Sequence, residues 1–153
     1  MSTDKTPDIL VVDDTPANLQ LISGMLRSHG YKVRPVSSAA LALQAAKAAP
    51  PDLVLLDINM PEMNGYEVCT QLKASDKTRE VPIIFLSALH ETIDKVKAFN
   101  CGGVDYISKP FQFEEVEARV NTHLRLKSLR EEASSGRVSL RRLTLRSRRV
   151  RML

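Results

Sequence analysis

The stretch LVLLDINMPEMNGYEV, residues 53–68, sets the fold class of this chain. Its first four residues are apolar, as expected of a strand that is buried on both faces, and Asp57 follows them directly. Gly65 then begins a pattern of apolar residues at helical spacing. A buried strand that ends in a carboxylate and leads into a helix is typical of α/β sheets, so we expect the same unit elsewhere in the chain.

The same unit recurs on both sides of this stretch. Further strands are predicted in DILVVDD (8–14), YKVRPV (31–36), VPIIFLS (81–87) and VDYIS (104–108), and a last helix from Phe113 to about Ala133. Strands that are apolar throughout indicate a parallel sheet covered by helices on both faces. We therefore predict a doubly wound α/β fold with a five-stranded parallel sheet and five helices, the last of them extended.

Polar residues and apolar spacing locate the helices between these strands. Thr15 and Ser37 are predicted as N-caps of the first two helices, since short polar side chains accept hydrogen bonds from free backbone N–H groups. Ile93, Val96 and Phe99 recur at helical spacing and predict the fourth helix.

Five polar residues follow the predicted strands: Asp13, Asp14, Asp57, Ser87 and Lys109. Each alone could simply cap the next helix. Parallel strands, however, bring their carboxyl ends to one edge of the sheet, which is where such folds bind ligands. Two carboxylates about 4 Å apart repel by roughly 1 kcal/mol in water and about 4 kcal/mol at a half-buried surface. The lysine supplies one positive charge, and the remaining deficit favours Mg²⁺, which binds carboxylates, waters and phosphate oxygens.

Four motifs carry a resemblance to a known family. VVDDTPAN, LLDINMPEMNGYEV, IIFLSA and DYISKPF, in this order and spacing, resemble the receiver domain of bacterial two-component response regulators, the CheY-like superfamily. The resemblance covers residues 8–128. It implies a flavodoxin-like fold with strand order 2-1-3-4-5.

The resemblance also implies roles at the acidic edge. Asp57 matches the phosphoacceptor, which takes a phosphoryl group from the phosphohistidine of a histidine kinase or phosphotransfer protein. Asp14 matches a direct Mg²⁺ ligand, together with Asp57 itself. Asp13 matches an outer-shell acid that acts through water, and Asn59 a ligand through its backbone carbonyl. These parts suit in-line phosphoryl transfer, which needs a nucleophilic oxygen, a metal and a cation.

Further positions match the switch of the family. Ser87 and Lys109 would contact the phosphoryl oxygens, and Tyr106 would rotate inward when the serine moves; the alternative for the tyrosine is an ordinary strand-face aromatic. Asn59 and Leu89 match positions that gate attack by water on the phosphoryl group. The altered surface would be the face formed by the fourth helix, fifth strand and fifth helix, through which we expect a weak homodimer.

The family often has a cis peptide bond at the position of Lys109–Pro110. The predicted protein is a phosphorylation-activated switch with Mg²⁺ as cofactor, and not an enzyme beyond its own phosphotransfer and dephosphorylation. A receiver fragment of a larger regulator or hybrid kinase is the alternative. A phosphatase of the haloacid dehalogenase type is rejected because its acids are two positions apart, whereas Asp13 and Asp14 are adjacent.

The charge of the chain is divided between two regions. Residues 137–153 carry seven arginines and no acid, so the net charge of +4 leaves residues 1–136 at −3. We divide the chain into an N-terminal arm (1–7), the receiver domain (8–128) and a helix extension with an arginine-rich, disordered tail (129–153). The tail is too short for a helix-turn-helix with its own core, so nucleic-acid binding is only a secondary alternative.

Composition excludes several other classes of protein. No apolar run approaches the roughly 18 residues of a membrane span, and the N-terminus lacks the layout of a signal peptide, so a cytoplasmic protein without a membrane partner is expected. The two cysteines, Cys69 and Cys101, lie outside any metal-ligand spacing. Buried, reduced thiols are favoured over a disulfide or a metal site.

Overall fold

The structure of the chain is a computed structural model, and it describes residues 6–88 and 94–135. Strands and helices alternate along it. In chain order they are β1 (Asp8–Val12), α1 (Pro16–Ser28), β2 (Lys32–Val36), α2 (Ala39–Ala48), β3 (Leu53–Asp57), α3 (Gly65–Ala74), β4 (Ile83–Ser87), α4 (Lys95–Asn100), β5 (Asp105–Ser108) and α5 (Phe113–Ser135).

The five strands form one parallel sheet in the order β2-β1-β3-β4-β5. The register places Val11 opposite Pro35 and Leu56 opposite Phe85. β2 and β5 are the edge strands, and the chain reverses direction of winding after β2. The predicted doubly wound fold, its five helices and its strand order are confirmed.

Side chains of the central strands alternate between two hydrophobic clusters, one on each face of the sheet. Leu10, Val54 and Phe85 belong to one cluster, while Ile9, Leu55 and Ile84 belong to the other, and all are 0 to 1% exposed. This double burial is the reason why these strands are apolar throughout. Their carboxyl ends are thereby held at fixed positions.

One of the two predicted N-caps is wrong. The cap of α2 is Ser38, whose Oγ accepts a hydrogen bond from the backbone N of Leu41 at 3.2 Å. Ser37 precedes the cap by one residue, too early for its side chain to take that position. Thr15 is at the N-cap of α1, but its side chain makes no capping hydrogen bond.

α4 confirms the predicted fourth helix, but its apolar residues do not face the core. Val96 is 70% and Phe99 is 79% exposed, while Ala98 packs against the cluster that contains Phe85. Ile93, which the spacing also assigned to this helix, lies outside the described residues. α4 thus presents apolar side chains to solvent.

α5 is 23 residues long and ends two residues beyond the predicted Ala133. Val116 and Val120 are buried, whereas Leu126 and Leu129 are 49% and 44% exposed. The helix therefore covers the sheet with its first half and extends past it with its second. Among the described helices, none combines the length and apolar character needed to cross a membrane.

Candidate functional site

The polar residues predicted to share one edge of the sheet do so. Asp57 is the last residue of β3 and Ser87 the last of β4, while Asp13 and Asp14 directly follow β1 and Lys109 directly follows β5. Since the strands are parallel, all five positions lie at the carboxyl edge. β1 and β3 are neighbours in the sheet, so the acids that follow them meet.

Three carboxylates converge at this edge. Asp13, Asp14 and Asp57 each offer an oxygen, and these atoms lie within 4.8 Å of one another. Asp13 is fully buried, and its Oδ1 accepts a hydrogen bond from the backbone N of Thr15 at 2.9 Å. Its Oδ2 is also buried and forms an ion pair with Lys109. Three carboxylates that crowd together around one lysine form an arrangement that fits a hard cation such as Mg²⁺.

Lys109 places its ammonium group against this cluster. Its Nζ lies 3.2 Å from Asp13 Oδ2 and 3.4 Å from Asp57 Oδ1. Its backbone N donates to the carbonyl of Ser87 at 2.8 Å, and the Lys109–Pro110 peptide bond is cis, as the family resemblance implied. Burial alone would lower the pKa of Lys109, but the charges of Asp57 and Asp13 outweigh it and raise that pKa. The lysine is therefore a fixed positive charge.

Asp57 is 4% exposed, and its pKa is higher than that of an ordinary aspartate. Its pKa is raised from 3.8 to about 7, first by burial, then by the charge of Asp13 and by a hydrogen bond with Asp14. Lys109 acts in the opposite direction but does not compensate for these effects. The single positive charge of Lys109 does not balance the three carboxylates. A second positive charge at this site is therefore favoured.

The loop after Asp57 returns closely to it. Gly65, the first residue of α3, donates its backbone N to the carbonyl of Ile58 at 2.8 Å. A Cβ at Gly65 would lie 2.5 Å from the backbone oxygen of Asp57, so only glycine fits. A capping box between Asn64 and Glu67 fixes the start of α3. These contacts fix the loop between Asp57 and α3 against the end of β3.

The remaining predicted site residues surround this cluster. Ser87 is 1% exposed, and Tyr106 is half-buried and opposite Phe85 on the neighbouring strand. Asn59 is exposed on the loop two residues after Asp57. Leu89 lies outside the described residues. The functional roles of these residues stay predictions.

Two groups of contacts that involve α4 and β5 were not predicted. The first is Tyr66 on α3, whose hydroxyl accepts a hydrogen bond from the backbone N of Asp94, the N-cap of α4, at 3.2 Å. Its ring packs on Phe85 at 5.2 Å, with Lys97 Nζ 5.3 Å from the ring centre. The helical spacing of Tyr66 indicated only an apolar face, so no signal in the sequence pointed to the hydroxyl.

The second feature is a charged cluster around Asp105. Arg119 Nη1 lies 2.6 Å from Asp105 Oδ1, and His123 Nε2 lies 3.0 Å from Oδ2. Burial alone would raise the pKa of Asp105, but its hydrogen bonds with Arg119 and His123 lower it. Arg119 also contacts Glu115 at 3.3 Å. The cluster ties β5 to α5 at the surface expected to change on phosphorylation.

Comparison with known proteins agrees with this geometry. The model of the response regulator receiver domain matches residues 9–121. The DNA-binding dual master transcriptional regulator RpaA of Synechocystis is 38% identical over 119 residues, which are 78% of this chain and 49% of that protein. A probable cyclic di-GMP phosphodiesterase of Vibrio cholerae is 42% identical over 119 residues, 78% of this chain and 27% of that protein.

One similar solved structure contains a bound magnesium ion. The receiver domain of sensor histidine kinase PA1611 from Pseudomonas aeruginosa PAO1 has a magnesium ion coordinated in its active site cleft. It is 32% identical, with a TM-score of 0.72, and the match covers 78% of this chain and 98% of that one. The chain spans about half or less of the two curated relatives named above. From the family model, the sheet order and the acidic edge, this chain belongs to the response regulator receiver domain family of two-component systems.

Proposed function

We propose that residues 8–128 form a cytoplasmic switch in which Asp57 accepts a phosphoryl group from the phosphohistidine of a histidine kinase or phosphotransfer protein. One observation carries this proposal. The Asp57 carboxylate ends a buried strand, contacts Lys109 at 3.4 Å and lies within 4.8 Å of two further carboxylates.

The transfer step follows from the positions of these side chains. A carboxylate oxygen of Asp57 attacks the phosphorus, the phosphorus–nitrogen bond of the phosphohistidine breaks, and the imidazole nitrogen keeps the electron pair and takes up a proton. The product is an acyl phosphate on Asp57. Lys109 would bind one phosphoryl oxygen and the hydroxyl of Ser87 another, so that charge developing on these oxygens would be neutralised.

Mg²⁺ is the proposed cofactor of this step. Asp14, Asp57 and the backbone carbonyl of Asn59 would hold it directly, and Asp13 would act through water. When bound, the ion supplies positive charge to both the acceptor and the phosphoryl oxygens. The support from this chain is the group of three carboxylates within 4.8 Å of one another, of which Asp13 and Asp57 share the single ammonium group of Lys109.

Phosphorylation would add about two negative charges and three strong acceptor oxygens to Asp57. We propose that Ser87 moves toward these oxygens and that Tyr106 turns into the space beside Phe85, its neighbour across the strand pair. Asn59 and Leu89 would control access of water to the acyl phosphate. The outcome is a changed surface of α4, β5 and α5.

The acceptor assignment is tested by Asp57→Asn. This variant keeps the shape of the side chain but removes the nucleophile, so labelling by acetyl phosphate in Mg²⁺ should fall to background. The control is Asp76→Asn, because the Asp76 side chain is 90% exposed and lies between the end of α3 and the start of β4, at the opposite edge of the sheet. Undiminished labelling of Asp57→Asn, with the control also labelled, contradicts the assignment.

The metal assignment is tested by the pH dependence of Mg²⁺ affinity. Mg²⁺ binds the ionised carboxylate, and the pKa of Asp57 is raised to about 7, so affinity should rise as the pH rises through that value. Below it, affinity should fall by up to about tenfold per pH unit, since one proton competes with the ion. Calorimetric titration measures this dependence, which should flatten in Asp57→Asn. A wild-type affinity that is constant across this range argues against the proposed ligand set.

The output is proposed to be a weak homodimer through the α4–β5–α5 surface, strengthened by phosphorylation. Val96 and Phe99 are 70% and 79% exposed on this surface, which supports an apolar contact there. Sedimentation with and without beryllofluoride, a phosphoryl mimic, is the test. An unchanged monomer at high micromolar concentration in both conditions would favour docking of a separate partner instead.

The alternative output is an effector domain within a larger regulator. The relatives named above are considerably longer than the matched region, and one of them is a probable cyclic di-GMP phosphodiesterase. Within this chain, α5 continues as one helix through the proposed domain boundary at residue 128 to Ser135. The arm (1–7) and the extension (129–153) remain proposed divisions, and the arginine-rich segment 137–153 lies outside the described residues.

A further inference from the structure

Two cysteines far apart in the sequence meet between α3 and α4. Cys69 lies in the middle of α3, is fully buried, and donates its Sγ–H to the backbone carbonyl of Cys101 at 3.2 Å. Cys101 is the C-cap of α4, and its Sγ–H donates to the carbonyl of Ala98 at 3.2 Å. Both are free thiols. The fold therefore brings together two cysteines that are 32 positions apart in the sequence.

The contact of the Cys69 sulfur with the Cys101 backbone carbonyl also places the two thiols close enough to influence each other. Burial raises the pKa of the Cys69 thiol, and the neighbouring Cys101 thiol raises it further. Lys73 acts in the opposite direction but does not reverse the shift. Cys69 is therefore protonated in the resting protein, next to a second sulfur.

Only one of the two thiols is open to a reagent. Cys101 is half-buried and lines a shallow surface groove, whereas Cys69 has no exposed surface. The groove is otherwise lined by polar and charged residues: Tyr66, Glu67, Thr70, Lys97 and Asn100. A small polar oxidant could thus reach Cys101 first.

We propose that Cys69 and Cys101 form a redox-active dithiol, which a peroxide oxidises to an intramolecular disulfide. In the first step, the Cys101 sulfur attacks the peroxide, a sulfur–oxygen bond forms, the oxygen–oxygen bond breaks, and water leaves. In the second step, the Cys69 sulfur attacks the sulfur of the resulting sulfenic acid, the sulfur–sulfur bond forms and the sulfur–oxygen bond breaks. The leaving hydroxyl takes up the proton of the Cys69 thiol and departs as a second water. The dithiol loses two electrons and two protons, and the peroxide is reduced to two molecules of water.

The disulfide would tie the end of α4 to α3. The start of α4 is already held to α3 by the hydrogen bond from the Asp94 backbone N to the Tyr66 hydroxyl. Oxidation would therefore fix both ends of α4 on the same helix. This consequence rests on the proposed function, in which the surface of α4 changes on phosphorylation, and it predicts that the oxidised protein responds less to a phosphoryl mimic.

The dithiol is tested on the full chain with hydrogen peroxide. After oxidation of the native protein, both free thiols should be lost when thiols are counted in denaturant. The protein should remain a single chain on a non-reducing gel, and peptide mapping should find Cys69 linked to Cys101. Cys69→Ser should instead accumulate a dimedone adduct on Cys101, because no second thiol resolves the sulfenic acid. Cys101→Ser should keep its remaining thiol, since Cys69 is buried.

Three results would overturn the proposal: two free thiols in the oxidised wild type, a disulfide only between chains, or equal dimedone labelling of wild type and Cys69→Ser. If Cys69→Ser does not fold, Cys101→Ser and the peptide map decide the matter. Hydrogen exchange in α4 with and without beryllofluoride, compared between reduced and oxidised protein, tests the consequence. A reduced protein that does not respond would contradict the proposed switch, while the thiol results would stand independently.

Discussion

The helices α3 and α4 follow neighbouring strands of the same sheet, yet they are held very differently. α3 has ten residues, starts with a capping box, and buries five side chains or backbone positions, including Cys69 and Leu72. α4 has six residues, begins at the N-cap Asp94, and exposes its two largest apolar side chains, Val96 and Phe99. Burial along a helix determines how much free energy is needed to displace it.

This difference in burial suggests that α3 supports the site, whereas α4 is the helix that can move. α3 packs against the sheet directly after the loop that follows Asp57, so it keeps the end of β3 in place. α4 is shorter and less buried, which places it among the segments that can rearrange at low cost. The contacts from α3 to α4, through Tyr66 and Cys69, then determine how far α4 is free to move.

The largest expected effect comes from core truncation in α3. Leu72→Ala removes a side chain that is 1% exposed and should lower the free energy of unfolding by about 2–5 kcal/mol. Phe99→Ala in α4 removes a larger side chain that is 79% exposed and should change it by less than about 0.5 kcal/mol. Urea denaturation measures both variants. Similar losses in the two would mean that α4 is packed as firmly as α3.

A smaller effect is expected at the start of α3. Gly65→Ala puts a methyl group against the Asp57 backbone oxygen, at 2.5 Å before any adjustment, and should cost about 1–3 kcal/mol while slowing phosphorylation. Gly24→Ala is the matched control, because nothing lies within 4 Å of a Cβ at that position of α1. The control should be stabilised by about 0.5–1 kcal/mol through helix propensity. If Gly65→Ala left the free energy of unfolding unchanged, the loop after Asp57 would be able to shift and make room for the methyl group.

The smallest effect is expected at the contact between the two helices. Tyr66→Phe removes the hydroxyl that accepts from the Asp94 backbone N, a change worth about 0.5–1.5 kcal/mol. Amide exchange should quicken in α4 but not in α3, since the ring can still pack on Phe85. Hydrogen-exchange mass spectrometry separates the two helices. If amide exchange quickened equally in both helices, the hydroxyl would stabilise the whole domain and not α4 in particular.

The parts of the fold that the sequence predicted are those governed by local patterns. The strand β3 and the acids that end β1 and β3 could be located because burial on both faces demands an unbroken apolar run, which a carboxylate then interrupts. Parallel pairing brings such ends together without any knowledge of side-chain contacts. The roles of Asp57, Asp14 and Ser87 came from the resemblance of their motifs, and they stay predictions until tested.

The parts that could not be predicted depend on packing between distant segments. The spacing of Val96 and Phe99 is the same whether a helix buries them or not, so their exposure had no signal. The hydrogen bond from Asp94 to Tyr66 joins residues 28 positions apart, and the Cys69–Cys101 contact joins residues 32 apart. Even the cap of α2 depended on a choice between adjacent serines, which only the helix start at Ala39 decides.

The position of β2 at the edge of the sheet has a consequence for solubility. An edge strand offers unpaired backbone groups to which another molecule could add a strand, the first step of aggregation. Pro35 has no N–H to donate and is exposed, and Lys32 adds an exposed charge at the start of the same strand. These two residues make β2 a poor template for a foreign strand, which protects a sheet whose interior is almost entirely aliphatic.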